Sequence, residues 1–318
     1  MIEFKADRDI AGVRLDKVLR KRLANVPPSH LFKMIRTKKV RVNGKRAQPE
    51  QPLQEGDTVT IRGDEAQLLG PGRLKEKAPA ELDGSWLKVL YEDDWMMAVD
   101  KPSGLAVHTG SGITGGTLVD YVRARLGPKA VRNDFAASPA HRLDRETSGV
   151  ILVAKRRPAM VHFTNVFTHQ HPKKKYLVLA KGRMGAASGV IDLPLAEHQQ
   201  SAESKARRGV NMQEAVTRWR VLGQGTDVTY LECLIETGRT HQIRRHLAAV
   251  GHPLAGDRKH GDFAFNREVR ARYGLKRLFL HAASIEVPHP EDGRKLRFEA
   301  PLPEELTAVL RGAGLERP

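Results

Sequence analysis

The chain is short of acid, short of aromatic rings and almost free of cysteine. A single cysteine, Cys233, stands among 318 residues, which rules out an intramolecular disulfide and a thiolate zinc cluster. Aromatic residues make up 5%, too few for a broad platform on which single-stranded bases would stack. No run of eighteen apolar residues occurs, and residues 1–9 hold no apolar core of the kind a secretory leader carries. A reducing, cytoplasmic compartment and no membrane partner are therefore expected. Acid is scarce relative to base: 37 Asp and Glu face 54 Lys and Arg, for a formal charge of +17. Such an excess selects a polyanionic partner, most commonly nucleic acid. An anionic membrane surface competes for that reading, but no basic amphipathic helix with aromatic anchors is evident.

The base is concentrated early. Residues 1–62 hold fifteen Lys and Arg against seven Asp and Glu. Within them Leu15, Val18, Leu19 and Leu23 recur at helical spacing, with Lys17, Arg20, Lys21 and Arg22 on the other faces. Pro27-Pro28-Ser29 breaks that pattern and is expected to cap a second helix over 29–37. The alternating stretch 39–46 turns at Asn43-Gly44, a strong hairpin signal, and 58–61 reads as a closing strand. Residues 63–84, rich in Gly, Pro and charge, read as a linker. The remainder, 85–318, alternates short β-like runs with helical stretches at 118–126 and 241–250, which predicts one mixed α+β domain.

Four segments carry candidate chemistry. In His141-Arg142-Leu143-Asp144-Arg145-Glu146-Thr147-Ser148-Gly149 one carboxylate lies between two arginines, directly before the apolar strand-like run 150–154. Flanking guanidiniums would keep Asp144 ionised, which suits a nucleophile or base and not a general acid; a structural salt bridge is the bland alternative. Lys173-Lys174-Lys175-Tyr176 leads a second strand, where Tyr176 is ordinary for its place. Arg239-Thr240-His241-Gln242-Ile243-Arg244 passes from a Gly turn into a helix with Thr240 as the expected N-cap, and its arginines suit an anion. The Gly-rich stretch 108–117 lacks the spacing of a triphosphate or dinucleotide loop. His169-Gln170-His171 lacks a third ligand and reads as a helix end, so no metal is assigned.

Together these strings resemble the three motifs of the RluA family of pseudouridine synthases, and 14–61 resembles an S-four-type RNA-binding module. The resemblance implies an α+β fold: a mainly antiparallel catalytic sheet with flanking helices behind a small α+β N-terminal domain. It implies that Asp144 is the catalytic carboxylate, that Arg244 pairs with it, and that the Tyr176 phenol lies against the target base as a proton acceptor. Arg142 would fill the space that a flipped base leaves, and His141 would brace the loop or contact phosphate. Leu280, in Arg277-Leu278-Phe279-Leu280-His281, would pack on the uracil. Lys101, in Lys101-Pro102-Ser103-Gly104, would shape the cleft wall, and Arg239 would contact substrate. In the N-terminal module Arg14, Lys17, Lys38, Lys39 and Lys45 would touch phosphates. The segment 257–262 resembles a subgroup acting on large-subunit ribosomal RNA, which usually carries Tyr where this chain has His260.

The implied substrate is 23S ribosomal RNA, isomerised at specific uridines by a monomer that needs no cofactor and no obligate protein partner. Asp144 either attacks the anomeric carbon or acts as a base at the ribose 2′ position. A transfer-RNA or dual-specificity synthase is the runner-up. A non-catalytic ribosome-assembly factor is a rival of another class, and the joint presence of Asp144, Tyr176 and Arg244 speaks against it.

Overall fold

The computed structural model describes residues 1–23, 26–64, 68, 82–109, 116–132, 135–196 and 211–315. Most of the expected linker and the Gly-rich stretch 110–115 lie outside the described residues. The chain forms two compact units. One comprises Met1–Trp86, Val119–Ser138 and Ala154–Val161; the other comprises Leu87–Leu118, Pro139–Val153 and His162–Pro318.

In the first unit, strands Ile2–Lys5, Thr58–Ile61, Val40–Val42 and Lys45–Arg46 lie in that order as an antiparallel sheet. Helices Leu15–Arg22 and Pro28–Arg36 bury Leu15, Leu19, Leu31 and Ile35 with Val40, Val59 and Ile61 of the sheet. The hairpin turns at Asn43 and Gly44, both at positive φ (50° and 72°), as an Asn-Gly type I′ turn requires. The Asn43 side chain also accepts from the Thr58 amide at 2.8 Å and donates to Asp57 at 2.7 Å, tying hairpin to closing strand. The second helix differs from the sequence reading. It starts at Pro28 with Pro27 before it and no side-chain cap, because a proline at the first helical position gives up only an amide that has no partner there anyway.

The second unit is built on one large sheet whose central path runs Ser188–Asp192, Val216–Gln224, Val228–Ile235, Lys174–Lys181, Leu280–Pro288, Ser148–Ala154, Met96–Lys101, Lys88–Glu92. Neighbours are mainly antiparallel; Ser148–Ala154 pairs in parallel with Leu280–Pro288. Every residue of Ser148–Ala154 is buried, which is why 150–154 is an unbroken apolar run and does not alternate. Val228–Ile235 alternates as expected, with Cys233 fully buried. Gly149 sits at φ +113°, and a Cβ there would lie 2.1 Å from the Ala282 carbonyl oxygen. Only glycine lets the two strands approach so closely immediately after the Asp144 loop. No helix among the described residues is long and apolar enough to cross a membrane.

Candidate active site

The loop that carries Asp144 is held through its backbone and from several sides. Lys101 is fully buried, and its ammonium donates to the carbonyls of Pro102 (2.9 Å), Leu105 (2.9 Å) and Arg145 (3.1 Å). The Gly104 amide also reaches the Arg145 carbonyl (2.8 Å), and the Ser103 hydroxyl donates to the Glu146 carbonyl (2.7 Å). His141 Nε2 accepts from the Leu152 amide at 3.1 Å. Burial, with the Lys174 charge, pulls this imidazole down to about 3, so it is the neutral acceptor that the bond requires. Lys101 thus shapes the cleft wall from within and, contrary to its expected place among the substrate-binding residues, does not reach the cleft. With three carbonyls filling its donors and no exposure, Lys101 is a clamp on the loop.

Asp144 accepts from Arg244 Nη1 at 3.0 Å on its Oδ2. The arginine is itself 7% exposed and turns its other edge onto Asp257, with Nε to Oδ2 at 2.7 Å and Nη2 to Oδ1 at 2.8 Å. This two-pronged contact fixes the plane of the guanidinium. Asp257 is 1% exposed, and burial alone would raise its pKa. The Arg244 bonds and charge, with the amides of His260 and Lys259, outweigh that and hold the carboxyl down to about 2. The arginines adjacent in sequence do not supply this pairing. Arg142 is exposed at the rim, and Arg145 turns to Glu146 at 3.0 Å.

Arg244 lies on helix Gln242–Ala249, and the start of that helix departs from expectation. Thr240 is not the cap; His241, at φ +55°, precedes the helix without a side-chain cap bond. Gln242 anchors the end instead. Its Oε1 accepts from the Thr237 hydroxyl (2.7 Å) and the Arg239 amide (3.1 Å), and its Nε2 donates to the Val216 carbonyl (2.9 Å). Gly256, at φ +77°, would place a Cβ 2.0 Å from the Arg277 carbonyl oxygen, so a glycine must precede Asp257. His241 Nδ1 meets His260 Nε2 at 2.8 Å, and His241 Nε2 lies 3.8 Å from Asp144 Oδ2. Burial lowers both imidazoles.

Arg142, Asp144, Thr147, Tyr176, Arg239 and Leu280 line one pocket with His241 and Arg244. It adjoins a cleft of about 810 Å³ whose walls include His141, Arg142, Arg145, His241 and Lys259, a volume that suits a nucleotide-sized ligand. Tyr176 is buried at a break in strand register, where a bulge re-aims a side chain. Burial and then the Asp144 charge push its phenol well above the usual value, so it is uncharged at neutral pH. Arg239 is exposed and donates to the Glu214 carbonyl at 3.1 Å. Asp257, His241 and His260 carried no assigned role from sequence, although the motif resemblances at 239–244 and 257–262 pointed to their segments.

In the first unit, Lys17, Lys38, Lys39 and Lys45 are exposed. Arg14 is exposed as well, while its guanidinium bonds both oxygens of Asp16 at 3.1 Å and lies 3.6 Å from Glu50. A separate groove is lined by Ser29, Phe32, Lys33, Arg36, Arg46 and Gln48, among others. Its signal was present in the sequence: Ser29, Lys33 and Arg36 share the helix face away from buried Leu31 and Ile35.

Known proteins match nearly the whole of this chain. Residues 95–249 match the family described as RNA pseudouridylate synthase, and residues 13–59 match the S4 domain. The ribosomal large subunit pseudouridine synthase C of Vibrio cholerae is 38% identical over 309 residues, spanning 96% of this chain and 94% of that protein. Its namesake in Escherichia coli K12 is 39% identical over 310 residues, spanning 95% and 93%. Among solved structures, human RNA pseudouridylate synthase domain containing 4 superposes with a TM-score of 0.58 at 28% identity, over 73% of this chain and 94% of that one. The chain thus belongs to the RluA-type RNA pseudouridine synthases, isomerases by family, and carries an S4 domain ahead of the synthase region.

Proposed function

We propose that this enzyme isomerises specific uridines of 23S ribosomal RNA to pseudouridine, with Asp144 as the reacting carboxylate and without a cofactor. The observation that carries the substrate reading is the match, over nearly the whole of both chains, to relatives named for the large ribosomal subunit. The proposed division of labour is an RNA-binding domain over 1–62, a linker over 63–84 and a catalytic domain over 85–318.

The reaction breaks the bond from uracil N1 to ribose C1′, turns the base and forms a bond from C5 to C1′. The C5 proton leaves and N1 gains one, so atoms balance with no redox agent and no consumed water. Asp144 starts cleavage, either by attack at C1′ or by removing the 2′ proton. Arg244 orients the carboxylate, and Asp257 fixes Arg244. Tyr176 and Leu280 line the pocket as the apolar walls for uracil. An uncharged phenol is a poor proton acceptor, so contact with the base is the role that Tyr176 performs best. Arg142, exposed at the rim, fills the stack that the target base vacates, which offsets a cost of a few kcal/mol. Arg239 holds substrate near the pocket mouth, while His141 and Lys101 keep the loop in shape.

The enzyme acts as a cytoplasmic monomer. Mapping of pseudouridine by base-specific chemical modification, after incubation with 23S transcripts and with bulk transfer RNA, tests the substrate. Discrete new sites in the 23S transcript support the proposal; sites confined to transfer RNA replace it with the runner-up.

A further inference from the structure

The turn 257–260 reaches the Asp144 carboxylate by two routes. One is the arginine already described. The other passes through two imidazoles: His260 Nε2 lies 2.8 Å from His241 Nδ1, and His241 Nε2 lies 3.8 Å from Asp144 Oδ2. Two neutral imidazoles at that distance share one proton between the facing nitrogens. If His241 donated it, the lone pair on its Nε2 would face the carboxylate, which is repulsive. If His260 donates it, His241 must carry its own proton on Nε2, and that N–H faces Asp144. Electrostatics therefore selects the second arrangement.

We infer that His260 is a positioning residue that holds His241 in the Nε2–H tautomer facing Asp144. His260 can do this because the turn holds it firmly, its own amide being bonded to Asp257 Oδ1 at 3.0 Å. The groups around His241 agree with a neutral ring. Asp144 faces it from the loop, Arg244 stands on its own helix, and His260 and Lys259 come from the turn; burial and the three cationic or imidazole neighbours outweigh the carboxylate. Both routes end on Oδ2. Among the described residues no hydrogen bond reaches Oδ1, which makes Oδ1 the oxygen that meets ribose. The His241 N–H, long for a hydrogen bond at rest, closes on Oδ2 as substrate fills the pocket.

The inference rests on Asp144 being the reacting carboxylate, and its direct test needs no RNA. Two-bond proton–nitrogen spectra of the full chain carrying 15N-histidine report which ring nitrogen is protonated. At pH 7.5 His241 is expected with a protonated Nε2 and a bare Nδ1; a protonated Nδ1 overturns the inference. His260→Phe should let His241 drift toward the other tautomer and lower kcat about tenfold with KM nearly unchanged. His260→Gln, whose amide can donate from the position of Nε2, should restore both. Wild-type kcat in His260→Phe, or no rescue by His260→Gln, overturns it. A failure of the 23S reading would leave the tautomer result standing, and the two failures are thus distinguishable.

Discussion

Arg244 joins two carboxylates of unlike station: Asp144, which faces the pocket, and Asp257, which is sealed beneath it. The bonds to Asp257 are 2.7 and 2.8 Å and the bond to Asp144 is 3.0 Å. The guanidinium is thus fixed from below, and its third contact aims the reactive group. The single cation between the two carboxylates leaves Asp144 oriented toward the pocket, which suits a nucleophile or a base.

Asp257→Asn should separate positioning from chemistry. The substitution keeps the shape of the side chain but removes the charge that fixes Arg244. We expect kcat to fall about 100-fold, the scale for a reacting group displaced by about 1 Å. RNA affinity should change little, because Asp257 is sealed from the cleft. Steady-state kinetics alongside equilibrium RNA binding checks this.

Lys101 carries a prediction about stability. Lys101→Met leaves the carbonyls of Pro102, Leu105 and Arg145 without their shared donor, which should cost about 3 kcal/mol in urea unfolding. Burial brings the Lys101 amine down to about 7, against the pull of the Asp144 and Glu146 charges. Between about pH 7 and its ordinary value of 10.5, the unfolded chain therefore holds more protons here than the folded one. Stability from this group then rises with pH across that window and is lost as pH falls through about 7. The methionine variant should lack that rise.

The groove in the N-terminal unit carries a prediction about ionic strength. Lys33→Ala, Arg36→Ala and Arg46→Ala should each weaken RNA binding about equally for all sequences. Each should also reduce the slope of log affinity on log salt by about one. Titrations at several salt concentrations read both effects.

The parts of this fold that were legible in the sequence are those governed by short-range rules. The Asn43-Gly44 turn, the buried run after Gly149 and the alternation around Cys233 each follow from backbone preference or burial pattern. The pairing of Asp144 with Arg244, 100 residues apart in the chain, followed only from resemblance, since no local rule reaches that far. What stayed hidden depended on partners the sequence does not display. Lys101 reads as part of the cleft wall until three carbonyls are seen around its ammonium, and the pairing of Arg14 with Asp16 is likewise seen only in the fold. The Thr240 cap failed because His241, at positive φ, stands at the cap position, and the helix start is tied down by the Gln242 side chain through Thr237, Arg239 and Val216.

The central claim, that Asp144 is the carboxylate that opens the glycosidic bond, is tested most directly by tritium release from 23S transcripts labelled at C5 of uridine. Wild-type enzyme should release tritium, whereas Asp144→Asn should release none while binding the same RNA with near wild-type affinity. Continued release by Asp144→Asn would contradict the account and move the chemistry to another residue.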